Sequence, residues 1–169
     1  MRSGIRIMRL FGINIYIDWS WIFIFLLVTW NLVGAVFPFY HPEWSLGLSL
    51  VVGVTASLLF FASVLAHELA HSLVAKANGL PVRNITLFIF GGVSNIEREP
   101  ASPKTEFIMA IVGPLTSILI GILALFIGRA AAGDVNLLQN PATAIRSLNP
   151  LSTLLLWLGP INLLLGFFN

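Results

Sequence analysis

Residues 46–75 read LGLSLVVGVTASLLFFASVLAHELAHSLVA, and this stretch decides what kind of fold the chain can adopt. It carries no ionisable side chain as far as Ala66, and about 18 uncharged apolar residues are enough to span a bilayer as a helix. At about 1.5 Å per residue the whole stretch is longer than an upright crossing needs, so the helix is expected to tilt or to run partly outside the hydrocarbon. Near its far end stands His67-Glu68-Leu69-Ala70-His71. Two histidines four residues apart share a helix face and lie one turn apart, so both imidazoles can reach one ion. Glu68 sits beside them, where a carboxylate can take a proton from a metal-bound water. Ionisable groups in a spanning helix cost about 2 kcal/mol or more each when charged and mark function. The same residue types also suit a proton relay in a transporter.

Composition agrees with this helix. Of 169 residues 57% are hydrophobic and 9% charged, against about a quarter charged in soluble domains. The expected class is therefore an all-α membrane protein. Further spans are read at Trp19–Phe37, closed by Pro38 to Pro42; at Phe107–Ile127, opened by Ser102 and Pro103; and at Leu151–Phe168, opened by Pro150. Cysteine is absent, which removes disulfides and thiolate chemistry. The nine Lys and Arg residues are scattered, so nucleic acid is not an expected partner.

Between the second and third spans, residues 81–90 are rich in β-branched and aromatic types and run into Gly91 and Gly92. This segment predicts a short membrane-associated strand ending in a glycine turn, with Val93 to Ile96 returning. The alternation in Ile13 to Asp18 makes residues 1–18 an N-terminal interfacial strand region. Arg2, Arg6, Arg9, Lys76, Arg83, Arg98 and Lys104 fall on one side of four crossings, with Arg129 and Arg146 opposite. The positive-inside rule then places the N terminus and the His-Glu-x-x-His end in the cytoplasm of a multi-pass cell-membrane protein. The five tryptophans read as interface anchors and packing, and His41 as a solvated residue of an external turn. Gly113, Ser117 and Gly121 form a small-residue ridge that lets another helix approach. Pro114 is expected to kink its helix.

These motifs together resemble the site-2 protease family of intramembrane zinc proteases. The resemblance rests on HELAH in the second span, on Phe88-Ile89-Phe90-Gly91-Gly92-Val93, on Gly113-Pro114 in the next span, and on the ending Phe167-Phe168-Asn169. It covers nearly the whole chain and points to the compact prokaryotic subgroup. The resemblance implies a zinc cofactor held by His67 and His71, Glu68 as general base and acid, and Asn169 near the substrate. Phe88, Phe90, Gly91 and Gly92 are the accompanying substrate-binding candidates, and Gly113 and Pro114 are expected near the metal. The implied reaction is hydrolysis of transmembrane protein substrates in the lipid bilayer, with the strand at Ile85 to Phe90 pairing to an unwound substrate. The family's third ligand, the Asp of a Leu-Asp-Gly run, would follow Asn169. On that expectation residues 1–169 are a single protease domain, incomplete at its C terminus. Regulatory domains of the cystathionine-β-synthase type would follow in the parent protein. A non-hydrolytic transporter or metal carrier and a catalytically dead scaffold are the alternatives.

Overall fold

The computed structural model describes residues 4–98, 100, 102–133, 135 and 141–168. Two strands, β1 (Gly4–Leu10) and β2 (Ile13–Asp18), lead into α1 (Trp19–Asn31). A π-helical turn (Leu32–Val36) and α2 (Phe37–Tyr40) extend that helix, and α3 (Leu46–Ala77) follows. A hairpin of β3 (Val82–Phe88) and β4 (Gly91–Ile96) precedes α4 (Pro103–Ala131), α5 (Pro141–Arg146) and α6 (Pro150–Phe167). Four helical stretches, Trp19–Tyr40, α3, α4 and α6, are long and apolar enough to cross a membrane.

Local chemistry sets the helix starts. Asp18, Ser45, Ser102 and Asn149 cap α1, α3, α4 and α6, each accepting a hydrogen bond from a first-turn amide. Pro103 and Pro150 occupy first-turn positions where a missing N–H costs nothing. Asp18 thus both ends β2 and caps α1. Pro114 does not end α4, which runs on to Ala131.

The fold is mostly helical, but it is not all-α. A four-stranded sheet in the order β1-β2-β3-β4 joins the N-terminal hairpin to the later one, β2 running parallel to β3. Ile13, Ile15 and Ile85 are fully buried against Leu65, Leu69 and Leu73 of α3. Those leucines, spaced by four, dock the metal-motif helix on the sheet. Two expectations change here. The turn between β3 and β4 is Ile89-Phe90, and the two glycines open β4 instead of forming the turn; Gly91 has φ +124°, a conformation open to glycine. Moreover β3 is flanked on both sides, so among the described residues the free edge beside α3 belongs to β4.

His41 also departs from expectation. It is 1% exposed, stacked on Trp44 with ring centres 4.1 Å apart and bonded to Thr153 Oγ1 at 3.0 Å. The proline-flanked turn therefore tucks its histidine under α6 instead of leaving it in solvent.

Candidate metal centre

Helical periodicity points neighbouring residues of α3 in different directions. Leu69 faces the sheet, the two histidines face α4, and Glu68 faces β4. His67 is 2% exposed, and its Nδ1 lies 2.8 Å from Ser117 Oγ. His71 Nδ1 lies 2.5 Å from the carbonyl of Met109. A carbonyl only accepts, so the Nδ1 of His71 carries the proton and its Nε2 presents a lone pair. A partner on Nδ1 is what orients a metal-ligating imidazole.

The two Nε2 atoms face each other at 3.1 Å. In the tautomer in which Ser117 accepts from His67 Nδ1, both Nε2 atoms carry lone pairs, the state that shared ligation of a cation requires. Two imidazole nitrogens bound tetrahedrally to one zinc at about 2.0–2.1 Å stand roughly 3.3 Å apart, so the donors fit that ion. Among the described residues no group of three His, Cys, Asp or Glu side chains converges to hold a metal.

Gly113 lies against this pair. A Cβ there would fall 2.1 Å from His71 Nε2 and 2.6 Å from two further ring atoms, so α4 approaches at the motif only because the residue is glycine. Pro114, the next residue, packs by its carbonyl against Gly166 of α6. The expected ridge therefore divides. Gly113 and Ser117 meet the histidines of α3, while Gly121 packs on the Gly159 carbonyl of α6. Ser117 is thus a partner of His67 and not merely packing.

Glu68 is shaped by β4. Ser94 Oγ donates to Glu68 Oε2 at 2.9 Å, and a Cβ on Gly92 would come within 2.5 Å of Glu68 Cγ. The carboxylate stands between two cavities. One, of about 400 Å³, includes His71, Ser94, Glu106 and Met109. The other, of about 450 Å³, includes His67, Phe60, Phe61, Phe90 and Phe168. Phe90, Gly91 and Gly92 therefore line the site with the metal motif. Phe88 ends β3 and packs on the Phe90 ring at 6.0 Å. Asn169 lies outside the described residues. Neither Ser94 nor the Met109 carbonyl carries a signal in the sequence.

The pattern that defines peptidase family M50 matches residues 55–169. A protein of Synechocystis named as a zinc metalloprotease is 42% identical over 169 residues, covering all of this chain and 40% of that protein. A zinc metalloprotease of Mycobacterium tuberculosis is 33% identical over the same length, again 40% of that protein. The solved structure of a site-2 protease from Methanocaldococcus jannaschii superimposes with TM-score 0.54 at 31% identity, over 95% of this chain and 64% of that one. The chain spans about two fifths of the length of the curated relatives it matches.

Proposed function

This chain belongs to peptidase family M50, and from that premise we propose that it is the catalytic core of an intramembrane zinc peptidase cutting membrane-spanning proteins. The observation that carries this reading is the facing pair of His67 and His71 Nε2 atoms, 3.1 Å apart, with Glu68 next in sequence. His67 and His71 would hold the ion. When bound, zinc supplies Lewis-acid chemistry, lowering the pKa of water to about 7 and polarising a carbonyl. Glu68 takes the proton from the attacking water and returns it to the leaving amine. Catalytic zinc takes three protein ligands, so a third would come from outside the described residues.

A spanning helix hides its carbonyls in its own hydrogen bonds and must unwind before attack. The free edge of β4, the strand that touches Glu68, offers backbone partners to such an extended segment by strand addition. A chain continued past residue 169 to the length of its relatives, reconstituted with a transmembrane substrate, should cleave it. A zinc chelator should stop cleavage and added zinc restore it. Chelator-insensitive cleavage would sink this reading.

Membrane insertion is supported by the apolar belt that the helices leave uncovered. Phe23, Trp30, Val51, Phe107, Leu119 and Phe126 are each more than half exposed, more than a water-facing surface tolerates. With seven cations on one side and two on the other, the N terminus and the metal centre face the cytoplasm. Cysteines placed at Ile7 and Ala130 should react with an impermeant thiol reagent from opposite sides. Reaction from the same side overturns the orientation.

A further inference from the structure

We propose that Ser94 is the positioning residue that sets the carboxylate of Glu68, placing its alignment under the control of the edge strand on which substrate docks. The inference rests on the peptidase reading and adds a residue to it. Two β4 positions on one side of the strand face α3, Gly92 and Ser94, two residues apart as strand geometry requires. The first supplies space. A Cβ at Gly92 would press on Glu68 Cγ at 2.5 Å and Cδ at 3.2 Å, so the glycine allows the side chain to lie flat against the strand.

The second supplies a hydrogen-bond donor. Ser94 Oγ lies 2.9 Å from Glu68 Oε2 and 3.3 Å from the Glu68 carbonyl. Ser72, fully buried one turn further along α3, donates its own hydroxyl proton to Ser94 Oγ at 2.9 Å. Ser72 thereby occupies an acceptor site of Ser94 and leaves the Ser94 proton to Glu68, a chain in which each bond strengthens the next. One carboxylate oxygen is thus pinned, and the other is left for the proton of the attacking water.

The backbone of Ser94 pairs inward with Ile85 of β3, while the outer edge of β4 is unpaired among the described residues. A substrate segment added to that edge engages the strand that holds the base. Binding and alignment therefore meet in one residue. The backbone edge is indifferent to the Ser94 side chain, so losing the hydroxyl should leave substrate binding intact and slow the chemical step.

The test uses the continued, zinc-loaded chain in vesicles with a transmembrane substrate. Ser94→Ala should lower kcat about 10- to 100-fold, the scale expected when a reacting group is misplaced by about 1 Å, with KM within about twofold and zinc per chain unchanged. Ser94→Thr, which keeps the hydroxyl, should recover most of the rate, and Ser72→Ala should show a smaller fall in kcat. In a Glu68→Gln background, Ser94→Ala should cost no further activity. A normal kcat for Ser94→Ala, a loss confined to KM or to zinc content, or no recovery by Ser94→Thr would overturn the proposal. Wild-type cleavage by Glu68→Gln would remove Glu68 as the base and overturn the proposal too, whereas a continued wild-type chain that does not cleave fails the peptidase reading itself, so the two failures are distinguishable.

Discussion

Replacing Gly113 with alanine is expected to strip the centre of its metal. The added methyl group would sit 2.1 Å from Nε2 of His71 and 2.6 Å from Cδ2 and Cε1, far inside van der Waals contact. The ring has little freedom to yield, because its Nδ1 is held by the Met109 carbonyl. Met109 stands one turn before Gly113 on the same helix, so α4 both grips the imidazole and makes room for it. Loss of a partner that merely orients a ligand lowers metal affinity about 10- to 100-fold. Displacing the ligand itself should exceed that, with cleavage falling in step. Alanine is a better helix former than glycine by about 1 kcal/mol, so lost zinc could not be attributed to a weakened α4. Competition with a metal-binding dye measures the effect, and Gly47→Ala, whose Cβ meets nothing closer than 4.0 Å, is the matched control. Unchanged affinity in Gly113→Ala would mean that the His71 ring does not lie against α4.

How much of this was readable from the sequence depends on how far apart the interacting residues lie. His67, Glu68 and His71 were legible because helix periodicity alone places them, and the four membrane-length helices because their apolar runs are continuous. The strand at Ile13 to Asp18 was legible from its alternation and appears with those bounds. Its partner β1 falls inside the expected strand region of residues 1–18 but carries no alternation of its own: a register shift between Arg6 and Met8 breaks the pattern, and most of the strand is exposed. The parallel pairing of Asn14 to Ile17 with Asn84 to Leu87 was not legible, since a contact across that separation leaves no local periodicity. Missing it moved the free edge from β4 to β3. Ser117 was visible as a small residue at helical spacing, but its bond to His67 is a fact of packing between α3 and α4. His41 was misread because proline-flanked turns are usually solvated, whereas this one is covered by Trp44 and Thr153.

Replacing Glu68 with glutamine should abolish cleavage while sparing the metal. The carboxylate borders both cavities beside the histidines, yet it is turned toward Ser94 of β4. On the proposed mechanism its role is to carry a proton, which an amide cannot do. Removing a general base costs about 10²- to 10⁴-fold, and glutamine preserves the shape that Gly92 and Ser94 enclose. A transporter or metal carrier that needs only the histidines would tolerate the same change, and a scaffold would tolerate it along with His67→Ala and His71→Ala. The decisive measurement is cleavage of a transmembrane substrate and zinc per chain on one preparation of the continued protein, wild type beside Glu68→Gln. The predicted result is a cleavage rate lower by at least about a hundredfold at equal zinc content. A Glu68→Gln protein that holds zinc and cleaves at the wild-type rate would contradict the account.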